Sequence, residues 1–238
     1  MERSFDERAQ SVLANLQTIR MRINEACSIC GRSPDEITLM AVTKTVPAEV
    51  IQVALDAGVT VMGENRVQEF LGKRDALQLA NTDVHLIGHL QTNKVKQIVG
   101  TVSTIQSVDS LRLAEKIAEE SCKQGVVTDV LVEVNVGDEL SKSGVSLSEA
   151  ESLLRQIAPL SGIRVSGLMC IPPIAHTSEE KRQNFSLMHQ LFIDIRGKNI
   201  DNVYMDILSM GMSDDYFEAI LEGATLIRVG SALFGHRT

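Results

Sequence analysis

Short apolar runs alternate with amphipathic segments along most of the chain. The runs are rich in aliphatic and β-branched residues and lack the regular polar alternation of a strand with one wet face. They are therefore typical of strands buried on both sides of a parallel sheet. The segments between them, such as Pro47–Ala57, Leu111–Lys123 and Leu147–Ile157, carry apolar residues at helical spacing. Eight runs are predicted as strands, namely Ile37–Thr43, Val59–Gly63, Val84–Gly88, Val102–Val108, Val130–Val136, Ile163–Met169, Val203–Leu208 and Thr225–Val229.

A long helix is predicted before the first strand, over residues 1–30. Its apolar stripe consists of Leu13, Leu16, Ile19 and Ile23. Gly31 is a typical residue for ending a helix. Nine residues follow the eighth strand, which leaves little chain for a further full helix. We therefore expect the N-terminal helix to cover the side of the barrel where strands one and eight meet.

Eight strand–helix units at a spacing of about 25 residues fit a compact (β/α)8 TIM barrel. The alternative is an open, doubly wound sheet, which also alternates strands and helices. No linker rich in Pro, Gly or Ser interrupts the chain, and eight consecutive units favour the closed barrel. We predict an α/β fold in which residues 1–238 form a single domain, with the N-terminal helix added to the barrel.

Composition narrows the classes of protein to which the chain can belong. Hydrophobic residues make up 44% and charged residues 23%, so a mainly disordered chain is excluded. Aromatic residues make up only 3% and Trp is absent, so the core has to be aliphatic. A formal net charge of -8 disfavours a general nucleic-acid-binding surface. Neither a membrane-spanning apolar run nor a signal peptide is visible, which predicts a cytoplasmic protein.

The cysteine and histidine pairs do not predict a metal site. Cys27 and Cys30 form a Cys-x-x-Cys pair, but the pair closes a helical segment and no second pair completes a zinc site. We interpret them as two half-buried helix cysteines. His85 and His89 lie where a strand gives way to a turn, so they do not share a helix face, and no third ligand has a suitable spacing.

Function in a barrel is expected at the carboxyl ends of the strands, and Lys44 is the sharpest candidate there. It follows an apolar strand directly, so its ammonium group should project into the mouth of the barrel. A lysine whose charge is disfavoured by its surroundings can form a Schiff base with an aldehyde. The alternative is an ordinary strand-end lysine that reaches solvent, and position alone does not choose between them.

Two turns rich in serine and glycine follow the last two strands. Ser209, Gly211 and Ser213 follow strand seven, and Gly230 and Ser231 follow strand eight. Hydroxyl groups, flexible glycines and N–H groups at helix starts suit an anion, and phosphate sites between strands seven and eight are common in barrels. We favour phosphate over the alternative, in which these residues only cap helices and turn the chain.

Arg228 lies inside the final strand, between Ile227 and Val229. If its side chain enters the barrel, it needs an acceptor, because an unpaired buried charge is costly. That acceptor is either a carboxylate of the protein or a ring nitrogen or phosphate of a ligand.

Several separate blocks of the sequence match one known family. They are Ala41–Lys44, Gly63–Glu69, His85–Gly88 with Leu90–Lys94, Val134–Asn135, Ser141–Gly144, Gly167–Met169 with Ile171–Pro172, Leu208–Asp214, and Arg228–Ser231 with Phe234–Gly235. Together they resemble the pyridoxal phosphate homeostasis protein family, known in eukaryotes as the proline synthetase co-transcribed homologue. The resemblance covers nearly the whole chain after residue 35, and the number of blocks makes it specific.

The resemblance implies an alanine-racemase-like barrel that holds pyridoxal 5′-phosphate (PLP) as a Schiff base on Lys44. It also implies that Arg228 faces the pyridine nitrogen of the cofactor, with contact to the phosphate as the alternative. The other residues that it places at the cofactor are Ser209, Gly211, Ser213, Gly230 and Ser231 around the phosphate, Asn65 nearby, and Met169 and Met210 against the ring.

The function implied by the resemblance is intracellular PLP homeostasis, in which the protein buffers the cofactor or delivers it to PLP-dependent enzymes without a clear catalytic activity. Arg228 does not readily give up a proton, so it would leave the ring nitrogen unprotonated and a poor electron sink. Related barrel enzymes use a second β-domain and a partner subunit, and no such segment is visible, so we expect a monomer. The alternatives are a PLP-dependent amino-acid racemase-type enzyme and a cofactor-free sugar-phosphate barrel enzyme.

Overall fold

The computed structural model of the protein describes residues 4–137, 139, 143–173 and 175–235. Ser141 and Lys142, which belong to one of the matching sequence blocks, lie outside these residues. The strands are β1 (Thr38–Val42), β2 (Val61–Glu64), β3 (Asp83–Leu86), β4 (Thr104–Val108), β5 (Thr128–Asn135), β6 (Val145–Ser146), β7 (Ile163–Cys170), β8 (Val203–Ser209) and β9 (Leu226–Val229). The α-helices are α1 (Phe5–Cys30), α2 (Ala48–Asp56), α3 (Val67–Lys73), α4 (Val95–Ile98), α5 (Leu111–Gln124), α6 (Ala150–Ile157), α7 (Ser178–Gly197), α8 (Tyr216–Leu221) and α9 (Ser231–Phe234).

Eight of the strands form a closed parallel barrel, which confirms the predicted fold. The hydrogen-bonded order is β4-β3-β2-β1-β9-β8-β7-β5, and a pairing of β4 with β5 closes the ring. The short β6 pairs with β5 beside the ring. Every pairing is parallel, so the carboxyl ends of all eight barrel strands meet at one mouth.

The eight predicted strands agree with the barrel strands to within two residues at each end. One strand was missed, and the start of one helix was predicted wrongly. Strand β6 was not predicted, because its two residues are too few to produce a pattern. The helix predicted over Leu147–Ile157 begins only at Ala150. The reason is a turn in which the Glu149 carboxylate accepts hydrogen bonds from the Ser146 N–H (3.2 Å) and hydroxyl (2.7 Å).

Helix α1 begins and ends at clear sequence signals. Ser4 and Glu7 form a reciprocal capping box at its start, and Gly31 ends it in the left-handed conformation at φ 71°. Its apolar stripe differs by one residue from the prediction, because Val12 is buried whereas Leu13 is 48% exposed.

Helix α1 covers the side of the barrel where β1 and β9 meet, as predicted. It packs against α2, α8 and α9, and the Asn15 amide donates a 3.0 Å hydrogen bond to the carbonyl of Leu233 in α9. The helix therefore fills the gap that the short α9 leaves.

The core is aliphatic, as the composition predicts, and most of it lies between the strands and the surrounding helices. The barrel interior changes character along its axis. Met40, in the middle of β1, packs with Val61 and Leu226, which are the first residues of β2 and β9. Arg228 lies two residues beyond Leu226 and thus on the same face of β9, nearer the mouth. On this face of β9 the barrel interior therefore changes from apolar at Leu226 to polar at Arg228.

Candidate functional site

A cavity of about 570 Å³ opens at the carboxyl ends of β1, β2, β8 and β9. Its lining brings together side chains that are far apart in the sequence, as expected at the mouth of a barrel. Six of the ten predicted site residues line it, namely Lys44, Asn65, Ser213, Arg228, Gly230 and Ser231.

The other four predicted residues are in the structure but do not line this cavity. Met169 and Met210 are fully buried, Ser209 is bonded inside the barrel, and Gly211 lies beneath the turn that follows β8. The apolar part of the wall is instead formed by residues that sequence reasoning missed. They are Val42, Val46, Ile87, Ile171, Met212 and Phe234.

The alternation of side chains explains why Ile171, and not the predicted Met169, lines the cavity. Ile171 directly follows β7 and lies two residues beyond Met169, so continued alternation places it on the same side and one step nearer the mouth. Met210 packs instead in the core between the sheet and the helices. A count of alternating positions along β7 is the signal that finds Ile171 from the sequence.

Arg228 is 3% exposed, yet its side chain reaches the cavity. Its guanidinium donates to the Ser209 hydroxyl and to the Cys170 carbonyl, each at 2.7 Å. Within the described part of the chain no carboxylate forms an ion pair with Arg228. Its acceptors within the protein, which the sequence did not identify, are a hydroxyl and a carbonyl oxygen. Burial lowers the pKa of Arg228, although Asp215 and Glu133 oppose that effect.

The Arg228 guanidinium is the first member of a hydrogen-bonded chain through the barrel interior. The Ser209 hydroxyl donates to Gln106 Oε1 (2.7 Å), and Gln106 Nε2 lies 2.8 Å from His85 Nδ1. Arginine has only donors, so Ser209 has to donate onward, and the amide nitrogen of Gln106 then donates to Nδ1. His85 is therefore neutral with its proton on Nε2, which agrees with a pKa that burial lowers to about 4.

Gln106 was missed by sequence reasoning, although the signal is present. It is a fully buried glutamine in the middle of the apolar strand β4. Because a buried amide needs partners, such a residue indicates a polar network inside the barrel.

The two predicted serine–glycine turns are bonded to each other. The Ser213 hydroxyl accepts hydrogen bonds from the N–H groups of Gly230 (3.2 Å) and Ala232 (3.1 Å). With both acceptor positions used, the Ser213 O–H remains available to donate. Gly211 permits this arrangement, since φ is 88° there and a Cβ would lie 2.6 Å from the Ala219 Cβ.

Asn65 offers a buried acceptor at the cavity. Its Oδ1 atom is buried and has no hydrogen-bond partner within the described residues. Gly88 allows the close approach of the two segments, because a Cβ there would lie 2.2 Å from the Asn65 carbonyl oxygen. An unsatisfied buried oxygen in a cavity wall suits a ligand that carries a hydroxyl group.

Glu133, near the carboxyl end of β5, is a further buried ionisable group. Glu133 is 6% exposed, and its pKa is raised to about 7 by burial and by the nearby charge of Asp109, against the attraction of Arg228. Its carboxyl group therefore titrates near neutral pH.

The residues that we excluded as metal ligands are separate in the structure. Cys27 is buried and Cys30 half-buried, and both are free thiols, which confirms the interpretation of two helix cysteines. His85 is bonded to Gln106, whereas the His89 Nδ1 atom lies 3.6 Å from an Asp109 carboxylate oxygen. Among the residues that the structure describes, no group of three histidine, cysteine or acidic side chains is arranged to hold a metal.

Comparison with known proteins identifies the family. The family model of the alanine racemase N-terminal domain matches residues 14–238. The pyridoxal phosphate homeostasis protein of Aquifex aeolicus is 43% identical over 93% of this chain and 96% of its own length. The protein of the same name from Escherichia coli strain K12 is 41% identical over 94% of this chain and 95% of its own. The chain belongs to the pyridoxal phosphate homeostasis protein family.

A solved structure extends the similarity to three dimensions. PipY of Synechococcus elongatus, whose structure contains bound PLP, superimposes with a TM-score of 0.82 at 32% identity. The match covers 94% of this chain and all of that one. The Aquifex aeolicus and Escherichia coli relatives are named for homeostasis and not for an enzymatic reaction. Within the described residues of this chain, no helix is both long enough and apolar enough to cross a membrane.

Proposed function

We propose that this protein binds PLP in the cavity at the mouth of the barrel and carries it as a Schiff base on Lys44. The observation that carries the proposal is the shared lining, since an amine, a guanidinium and two serine–glycine turns face one cavity. The bound PLP in PipY supports the same assignment.

The lining fits the chemical groups of PLP. The Oδ1 atom of Asn65, which has no partner among the described residues, suits the ring hydroxyl as an acceptor. The hydroxyls of Ser213 and Ser231 suit the phosphate, because each offers an O–H donor at the cavity, whereas the Gly230 N–H is already bonded to Ser213. When bound, the cofactor supplies an aldehyde that reacts with an amine and a ring that can withdraw electrons.

Arg228 favours carriage of the cofactor over catalysis with it. Its side chain is fixed by Ser209 and the Cys170 carbonyl, and the residue lines the cavity. A guanidinium beside the ring nitrogen donates a hydrogen bond and keeps its proton, so the ring stays a weak electron sink. The proposed role is therefore to buffer PLP or to deliver it to PLP-dependent enzymes, without a catalytic activity.

We place this role in the cytoplasm and expect the protein to act as a monomer. The four free cysteines support a reducing compartment. Size-exclusion chromatography with light scattering tests the oligomeric state, and a mass close to twice 26.0 kDa would overturn that part of the proposal.

Borohydride trapping tests the site. The purified protein is incubated with PLP, reduced with borohydride, digested and analysed by mass spectrometry. We expect the label on Lys44 in the wild type, no label at that site in Lys44→Ala, and an unchanged label in Lys94→Ala. Lys94 is the matched control, because it follows β3 at the same end of the barrel but does not line the cavity.

A turnover assay separates carriage from a racemase-type activity. The PLP-loaded protein is incubated with L- and D-alanine, and the two enantiomers are quantified by chiral chromatography. We expect no interconversion above that of free PLP. Racemisation that Lys44→Ala abolishes would overturn the non-catalytic role, and a wild type that cannot be trapped by borohydride would overturn the Schiff base on Lys44.

A further inference from the structure

The turn that carries Lys44 is held from one side by a lysine that does not line the cavity. Lys73, at the end of α3, places its Nζ atom 2.7 Å from the carbonyl oxygen of Thr43 and 2.7 Å from Glu64 Oε1. The Thr43 hydroxyl donates to the same Glu64 oxygen. The backbone and the side chain of the residue before Lys44 are therefore both tied to one ion pair.

Thr45, the residue after Lys44, is linked to Lys73 through Glu69. The backbone N–H of Thr45 donates to Glu69 Oε1, and that oxygen lies 3.1 Å from Lys73 Nζ. Thr45 has φ 62°, a left-handed conformation that is unfavourable for a β-branched residue. Such a backbone persists only when its surroundings enforce it, and here the enforcing contact is the carboxylate of Glu69.

The cluster is shielded from water. The side chain of Glu64 is fully buried, that of Lys73 is 13% exposed and that of Glu69 is 26% exposed. The second oxygen of Glu64 has no partner within the described residues. Burial raises the pKa of Glu64, and its bonds to Lys73 and Thr43 oppose this effect. Lys73 is therefore the cation that pairs with this carboxylate and holds it in place.

We infer that Lys73 is a positioning residue for Lys44, because its bonds to Thr43, Glu64 and Glu69 fix the backbone on both sides of that lysine. The inference rests on the proposed function and adds a residue to it. In the step that it serves, the Lys44 amine attacks the PLP aldehyde, a C=N bond replaces the C=O bond, and one water molecule leaves. A loosened turn slows this step without removing the groups that hold the phosphate and the ring.

The test compares Schiff-base formation with non-covalent binding in Lys73→Met. Stopped-flow absorbance with PLP measures the rate of linkage, and calorimetry with pyridoxine 5′-phosphate, which has an alcohol in place of the aldehyde, measures binding alone. We expect the rate to fall at least about tenfold, because a displaced reacting group costs this much or more. We expect the affinity of Lys73→Met for the alcohol analogue to stay within about twofold of the wild-type value. Lys73→Arg, which keeps the charge, should recover part of the rate.

Two further variants complete the test. Lys123→Met is the matched control, because Lys123 pairs with Glu119 on the exposed face of α5, and we expect the wild-type rate. If Lys73→Met does not fold by circular dichroism, Glu69→Ala replaces it, since that side chain is partly exposed. Its loss removes the Thr45 tether and one contact of Lys73, and leaves the bonds of Lys73 to Thr43 and Glu64 in place. If folded Lys73→Met, or Glu69→Ala in its place, reacts with PLP at the wild-type rate, the inference is overturned and the proposed function stays intact. A wild type that forms no Schiff base would overturn the proposed function instead.

Discussion

Acid should destabilise the folded protein through His85, the last member of the hydrogen-bonded chain that begins at Arg228. Protonation of Nδ1 would set an N–H group against the amide N–H of Gln106, because that nitrogen accepts a hydrogen bond in the folded state. The perturbation that tests this is His85→Asn, whose amide oxygen keeps an acceptor but does not titrate.

The magnitude follows from the difference between folded and unfolded pKa values. Burial lowers the pKa of His85 from 6.5 to about 4. Between these values the unfolded chain binds the proton and the folded chain does not, so stability falls as the pH decreases. At 1.36 kcal/mol for each pKa unit, the full effect is about 3 kcal/mol, present above pH 6.5 and lost as the pH falls to about 4.

Urea denaturation at pH 7.0 and at about pH 4.5 measures this effect in the wild type and in His85→Asn. Other titrating groups contribute to both proteins, so their difference isolates His85. We expect the wild type to lose about 2 to 3 kcal/mol more than the variant between the two pH values. His89→Asn, at a 57% exposed side chain, is the control and should follow the wild type. Equal losses in wild type and His85→Asn, within about 0.5 kcal/mol, would refute the reasoning.

Three further substitutions test the barrel interior and the cavity wall. Burial raises the pKa of Glu133 in the folded protein to about 7, so its ionisation costs stability as the pH rises from 4.5 to 8. Glu133→Gln does not titrate, and its free energy of unfolding should therefore rise by up to about 3 kcal/mol relative to that of the wild type over this range. Urea titrations of both proteins at the two pH values check this. Gln106→Leu leaves two buried hydrogen-bonding partners unsatisfied and should lower the free energy of unfolding by about 3 kcal/mol, and a wild-type value would contradict the chain of hydrogen bonds. Gly88→Ala forces a Cβ against the Asn65 carbonyl and should lower both the melting temperature and the affinity for PLP, whereas Gly72→Ala, with open space around it, should do neither.

Much of the fold could be predicted from the sequence, because strands buried on both faces need apolar side chains at consecutive positions. The apolar runs located all eight barrel strands, and Gly31 marked the end of α1. The expectation that α1 fills the gap beside β9 came from the short stretch of chain after the last strand. Strand β6 and the start of α6 were missed, because they depend on a local turn that involves Ser146 and Glu149 and not on periodicity.

The candidate site could be predicted only in part. Lys44 and Arg228 were found because a charged residue at the end of or inside an apolar strand stands out in the sequence. Ser209 and Ser213 look alike in the sequence, yet one is buried against Gln106 and the other lines the cavity. The difference depends on which way successive side chains point as β8 gives way to a turn, and that direction depends on the packing of the turn against α8.

By itself, the sequence determined the number of barrel strands and the family, and it singled out Lys44 as the candidate for holding an aldehyde, because each of these depends on residue types in local order. Only the tertiary structure decided which residues share the cavity, how Arg228 is linked to His85, and how Lys73 holds the turn around Lys44. Those contacts join side chains from different strand–helix units. Their partners are chosen by barrel closure and strand register, which bring distant segments within hydrogen-bonding distance.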